Sequence, residues 1–388
     1  MSPTPILDGE QPLPSRKVHW VPALFLGFVI GGLLIAFERA TGSGPIHLRP
    51  TAIAEFFAAL YIAILVHETG HAIAGITAGF ELRAFMVGAF LFSKEAGRWR
   101  FRLLLRNLLW GGFTAATPCS DQDLLNRYMR FVLGGPAASL ILLVLTLLFP
   151  VGPLIRILFW VNLLLTVSVC IPYTVVSLPN DAKLILLLTG KGAVAERIVA
   201  SLYLLALDTQ GKRPRDLPRA LIEKLSVATK DTSRMPTALS FLLSDAAENN
   251  DPQQGAEILE QALAMNHKML PDARRGFMAA AACYHGFHNR DAARTEEWLK
   301  RARSVKSNAS QRDWDSQALA TTAFARGDYD QATELLTRFI ALIDRQPTSG
   351  MLAAERERML ALVNSLSDPS TAQLFTTSSN AVSRALAQ

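Results

Sequence analysis

The chain has 388 residues, of which 50% are hydrophobic, with a mean hydropathy of +0.22 and a formal net charge of +6. The length admits two or three domains. The hydropathy, concentrated before about Leu188, excludes a uniformly water-soluble chain, and the placing of the positive charge beside apolar runs argues for a membrane surface and against nucleic acid. Three scattered cysteines, Cys119, Cys170 and Cys283, form no CxxC and exclude a disulfide framework.

Taken in chain order, "MSPTPILDGEQPLPSRKVHW" is polar and proline-rich and ends with Arg16 and Lys17 before the first apolar run. That run, "VPALFLGFVIGGLLIAF", is too long for a signal-peptide core, and "ATGSG" is a weak cleavage site, so the run reads as a retained anchor. A helix needs about 20 apolar residues to cross a bilayer. Four segments meet this: Trp20–Phe37, Ala52–Ala78, Phe131–Pro150 and Leu154–Val176. Arg156 lies near one end of the fourth, where a long cation can snorkel.

The stretch from Glu81 to Arg130 carries Arg83, Lys94, Arg98, Arg100, Arg102, Arg106, Arg127 and Arg130, whereas the loop before it holds only Arg39 and Arg49. The positive-inside rule places residues 81–130 in the cytoplasm, and four spans then put both ends of the chain there too. The same basic loop also suits anionic lipid headgroups. Within it, "RWRFRLLL" alternates Arg98, Arg100 and Arg102 with Trp99, Phe101 and Leu103, a strand with one basic and one apolar face. "GAFLF" and "WGGFTA" on either side are strand-like, so a small β-hairpin or sheet at the membrane surface is expected.

From about Lys191 the composition is that of a soluble helical protein, broken at "GKRPRDLP". "NDPQQGAEILEQAL" from Asn250, "RDAARTEEWLKRA" from Arg290 and "GDYDQATELLTRFI" from Gly327 each combine a turn, a small residue and an amphipathic helix. They align Ile258, Trp298 and Leu335 at separations of 40 and 37. This resembles tetratricopeptide-type hairpins, whose period is about 34, and such arrays bind peptides or proteins; a generic helical spacer fits as well. In "CYHGFH", Cys283, His285 and His288 have no acidic partner at ligand spacing and the histidines read as core or surface residues, while Tyr284, Phe287 and Trp298 read as packing.

The chemistry lies in "LYIAILVHETGHAIAGITAG". His67 and His71 are four apart, so a helix projects both imidazoles from one face, where they can share a metal. Glu68, adjacent, reaches the water such a metal activates. Ionisable groups inside a span are rare and mark function. A tetrahedral catalytic site needs a third protein ligand, from the end of another span. "SLPNDAKLILLL" offers Asp181 as that ligand or as a helix cap; Asn180 can cap instead and leave Asp181 free.

HETGH in one span, Pro-x-Asp after another, and the glycine-rich segments "GGFTA" and "GGPAASLIL" between them resemble the site-2 protease family (M50) of intramembrane zinc metalloproteases. The resemblance covers roughly residues 50–190. It implies that one zinc ion is held by His67, His71 and Asp181, with Glu68 as the general base. It implies that Gly111, Gly112, Phe113, Gly135 and Pro136 bind an extended substrate and that the segment Gly134–Leu142 lets the third span pack close to the zinc helix. The family's usual Asp-Gly is Asp181-Ala182 here. Asn162 and Pro172 match the family's pattern only loosely and receive no role.

The expected fold is mostly α: a polytopic transmembrane helical bundle with a small β-sheet, followed by a soluble α-helical repeat domain. The expected domains are a cytoplasmic segment 1–19, a zinc metalloprotease domain 20–190 and a cytoplasmic helical domain 191–388. The expected activity is intramembrane endopeptidase action on a membrane-spanning protein, in a multi-pass protein of the bacterial inner membrane. The expected partners are the lipid bilayer, that substrate, and a protein bound by the helical domain, with no nucleic acid. An inactive membrane scaffold whose helical domain binds a partner, and a membrane metalloenzyme processing small secreted peptides, are the alternatives.

Overall fold

A computed structural model describes residues 6–10, 50–95, 97–105, 111–149, 152–175, 178–226, 234–306 and 315–367. The expected first span, Trp20–Phe37, lies outside the described residues, as does the tail after residue 367. The chain groups into two compact units: Arg16–Thr174 with Pro179–Ala195, and Met1–Ser15 with Val175–Leu178 and Glu196–Gln388.

The first unit holds the three described helices that are long and apolar enough to cross a membrane. They are α1 (Pro50–Thr77), α2 (Leu124–Leu148) and α3 (Gly152–Cys170). Expected and observed bounds differ by more than two residues at two places. The third expected span begins earlier, because "LLNRYM" has good helix formers and no breaker. The fourth ends at Cys170, before the helix-stopping Pro172.

Helix α1 is inverted relative to a water-soluble helix. Its buried stripe runs Ala59, Ala63, His67, His71 and Gly75, flanked by Ile64, Glu68 and Ala72, while Ile53, Phe56, Phe57, Leu65, Ile73 and Ile76 are exposed. Small and polar residues face the other helices and bulky apolar ones face outward, the pattern a lipid solvent selects. Helix α2 does the same, burying Gly135 and Ser139 and exposing Leu133, Leu140, Ile141 and Val144.

Between α1 and α2 lies a four-stranded antiparallel sheet in the order β3-β2-β1-β4. Its strands are β1 (Phe80–Val87), β2 (Phe90–Glu95), β3 (Arg98–Leu103) and β4 (Gly112–Pro118). The expected strands are present, and β1 joins them although its sequence carries no clean alternation. A bulge at Arg83 shifts its register against β4, and Arg83 turns its guanidinium onto Thr117 (2.9 Å) and Glu81 (2.8 Å). Strand β3 is exposed along its whole length, edged by Trp99, Phe101 and Leu103. Two short strands, Thr174–Val175 and Leu178–Pro179, lead into α4 (Asp181–Thr189).

The second unit is helical: α5 (Ala193–Thr209), α6 (Arg219–Ser226), α7 (Met235–Glu248), α8 (Pro252–Ala264), α9 (Pro271–Tyr284), a π-turn at His285–Asn289, α10 (Ala292–Ser304), α11 (Asp315–Ala325), α12 (Tyr329–Ile343) and α13 (Gly350–Ser367). Helices α8, α10 and α12 start alike. A left-handed residue (Asn250, Arg290 or Gly327) precedes an aspartate whose carboxylate accepts the backbone N–H three residues on. Asp251, Asp291 and Asp328 are these caps, so the motif seen in sequence is a shared helix start. The expected equivalence of side chains holds less far. Ile258 and Trp298 are buried, but Leu335 is half-buried and Leu336 takes the interior place. The described residues here form a helical region with these shared helix starts.

Candidate metal centre

Three ligand atoms converge between α1 and the start of α4. His67 Nε2 lies 3.1 Å from Asp181 Oδ2, His71 Nε2 lies 3.4 Å from the same oxygen, and the two Nε2 atoms are 3.2 Å apart. Among the described residues these three form a group able to hold one metal ion. A tetrahedral ion with ligand bonds of about 2.0–2.1 Å puts its donors roughly 3.3–3.4 Å apart, so the observed triangle is nearly one face of such a tetrahedron.

The tautomers agree with that reading. His71 Nδ1 is 2.9 Å from the Phe131 carbonyl, which can only accept, and 3.3 Å from the Gly135 N–H; the shorter contact favours a proton on Nδ1, which leaves the Nε2 lone pair facing the other ligand atoms. His67 Nδ1 meets the Ser139 hydroxyl at 2.9 Å, a group able to accept its proton and so to serve the same purpose. Asn162, fully buried on α3, donates to the Ser139 carbonyl at 2.8 Å and so braces this support from a third helix. Two imidazole lone pairs and a carboxylate oxygen at such mutual distances repel unless a cation or proton lies among them. With each histidine only 6% exposed, water does little to relieve this. The donor set fits a divalent metal.

The close approach of α1 and α2 depends on glycine. A Cβ on Gly70 would strike the Gly134 carbonyl, and one on Gly134 would strike the Gly70 carbonyl and Ala74. Backbones meet directly here, as small residues allow between membrane helices. One residue on, Gly135 lies against both histidines, where a Cβ would run into His71 and come within 2.7 Å of His67 Nε2. Pro136, half-buried beside it, has no N–H for the carbonyl four residues back and interrupts the helical ladder at this turn.

Asp181 is placed by its neighbour. Asn180 is the N-cap of α4: its Oδ1 accepts the Lys183 N–H at 3.1 Å while its amide donates to the Ile171 carbonyl at 2.8 Å. Of the two roles open to Asp181 in sequence, the cap goes to Asn180 and the carboxylate is left for the histidines. Ala182 is the second residue of α4, and Asp181 reaches the site with alanine there.

Glu68 is buried (7% exposed) and accepts the Thr114 hydroxyl at 2.6 Å, which fixes the carboxylate from strand β4. Gly112, on the same face of that strand, lies so close that a Cβ would collide with the Glu68 side chain. Gly111 has open space around it and its carbonyl accepts the Gly88 N–H at 3.0 Å. Phe113 is half-exposed and points away from the metal ligands. The structure therefore gathers His67, Glu68, His71, Asp181, Gly112 and Gly135, with Pro136 next in line, while Gly111 and Phe113 lie at the edge. Sequence reasoning missed Thr114, Ser139 and the Phe131 carbonyl, and gave Asn162 no role. Two were within reach of periodicity: Ser139 is one helical turn after Gly135, and Thr114 is two residues after Gly112 on a strand.

Helix α1 ends at Thr77, ten residues after His67, about 15 Å along the helix axis.

The model of peptidase family M50 matches residues 55–260, from within α1 into α8. No curated protein and no solved structure matches the chain. A match over more than half of the chain, together with the HExxH helix and its third ligand, identifies a metalloendopeptidase, and the chain belongs to peptidase family M50.

Proposed function

From membership of peptidase family M50, we propose that the chain is a zinc-dependent intramembrane endopeptidase that cuts a membrane-spanning protein, with one zinc ion held by His67, His71 and Asp181. The observation that carries this is the convergence of those three donors beside Glu68, on helices whose outward faces are apolar. Bound there, zinc supplies Lewis acidity toward a peptide carbonyl and lowers the pKa of water toward 7. Glu68 takes the proton of the attacking water and passes it to the leaving amine, with Thr114 holding its carboxylate in place.

A transmembrane substrate hides its peptide bonds in helical hydrogen bonds and must unwind to be cut. Strand β4 supports a way to hold the unwound form. It is an edge strand among the described residues, pairing with β1 on one side, and Gly112 touches Glu68. An extended substrate adds to that edge by main-chain hydrogen bonds, with Gly111, Gly112 and Phe113 at the entrance and Gly135 and Pro136 shaping the wall behind the histidines. The metal-binding domain spans 20–190 and a cytoplasmic helical domain 191–388, on the same side as segment 1–19; the basic loop supports that orientation. The helical domain works as a tetratricopeptide-like protein-binding module, a reading supported by the shared helix starts of α8, α10 and α12.

Metal analysis and a cleavage assay on the purified full-length protein test this reading. Wild type is expected to hold about one zinc per chain and to cut a single-span reporter. Glu68→Gln should keep zinc and lose cleavage; Asp181→Ala should lose zinc. Cleavage by Glu68→Gln at the wild-type rate, or wild type without zinc, overturns it.

A further inference from the structure

Residues Ile6–Glu10 are held by the helical unit in the manner of a bound peptide. They form a single turn closed by the Gly9 N–H on the Ile6 carbonyl (2.9 Å), with Gly9 at φ 72°, a conformation suited to glycine. The amides of Ile6 and Leu7 donate to the two carboxylate oxygens of Glu260 on α8, Ile6 at 2.9 Å. The Leu7 carbonyl accepts twice, from His285 Nε2 of the π-turn at 2.9 Å and from Trp298 Nε1 of α10 at 2.8 Å. Asn289 donates to His285 Nδ1 at 3.1 Å, which keeps the proton on Nε2. The Leu7 side chain is 4% exposed and belongs to the core formed by α5 to α11. Arg294 lies 4.0 Å from the Glu10 carboxylate.

Every backbone polar group of Leu7 is thus satisfied by a host side chain, with no helix or sheet ladder involved. Ordinary core packing does not require Glu260, His285 and the Trp298 indole to converge on a single leucine's main chain; recognition of a peptide does. Trp298, which sequence alone assigns to packing, and His285, which it leaves as a core or surface residue, have this use.

We propose that the groove between α8, the π-turn and α10 is a peptide-recognition site for a turn of the form apolar–Leu–acid–Gly–acid, and that residues 6–10 of this chain are its detachable resident ligand. In chain order the metal ligands, residues 67 to 181, fall between this latch and its receptor. A tethered ligand acts at an effective concentration of up to about millimolar, so it masks the site from free peptides of lower affinity.

The test uses full-length protein in detergent and a fluorescent synthetic peptide of residues 3–12. Leu7→Asp puts a carboxylate in the apolar pocket near Glu260 and empties the site. The peptide is expected to bind Leu7→Asp saturably, to bind wild type at least tenfold more weakly, and to lose binding when Glu260→Ala is added to Leu7→Asp. No saturable binding to folded Leu7→Asp, or equal affinity for it and for wild type, overturns the proposal. Should Leu7→Asp fail to fold, hydrogen exchange on wild type decides. Excess peptide should speed exchange at the Ile6 and Leu7 amides, and unchanged exchange at millimolar peptide overturns the proposal.

Discussion

Ser139→Ala isolates the contribution of ligand orientation to metal binding. Ser139 is fully buried on α2, one turn from Gly135, and its hydroxyl meets His67 Nδ1 at 2.9 Å. It makes no contact with the metal position itself. Alanine removes one hydroxyl, leaves the buried His67 Nδ1 without its hydrogen-bond partner, and frees the ring to rotate away from Asp181. Losing an outer partner of this kind lowers metal affinity by about 10–100-fold, which is about 1.4–2.8 kcal/mol at 1.4 kcal/mol per tenfold. The zinc dissociation constant of the purified protein, measured by competition with a chromogenic chelator, reads this directly. Asp181→Asn, which alters a ligand itself, should lose more than Ser139→Ala. Circular dichroism establishes that both remain folded. A Ser139→Ala protein with wild-type zinc affinity would refute the claim that this hydroxyl orients His67.

Three more outcomes rest on the same geometry. Thr114→Val removes a hydrogen bond to a charged group, about 1.5–3 kcal/mol, so kcat should fall on the order of 10- to 100-fold with zinc content unchanged; loss of zinc would instead place Thr114 in metal binding. Gly134→Val forces a side chain into the Gly70 carbonyl, an overpacking worth about 1–3 kcal/mol or more, and should lower the melting temperature in detergent by several degrees; an unchanged transition would argue against the close crossing. Burial pushes the Cys283 thiol up to about 11, so at pH 8 iodoacetamide should modify exposed Cys119 well before Cys283, which reacts at a comparable rate only after unfolding; mass spectrometry reads the order.

Much of the site is legible in the sequence because its chemistry is local. The i, i+4 spacing of His67 and His71 determines their shared face, and Glu68 comes with the same helix. The apolar runs define α1, α2 and α3 to within a few residues at most ends, since a helix in lipid depends on composition over some 20 positions. Where boundaries differ, a local signal overrides composition, as Pro172 does after α3. Strand β1 is not legible: "FELRAFMV" has no clean alternation, and it is a strand because β2 and β4 pair with it from both sides.

By itself, then, the sequence determined the membrane-spanning character of the first unit, the histidine pair with its glutamate, and the helical nature of the second unit, because each rests on residues within a turn or two of one another. Only the tertiary structure decided that Asn180 takes the helix cap and Asp181 completes the metal triangle. It also decided that Ser139, Asn162 and the Phe131 carbonyl aim the imidazoles, and that Leu7 docks on Glu260, His285 and Trp298. These depend on distances between residues tens to hundreds of positions apart, which packing fixes and spacing along the chain does not.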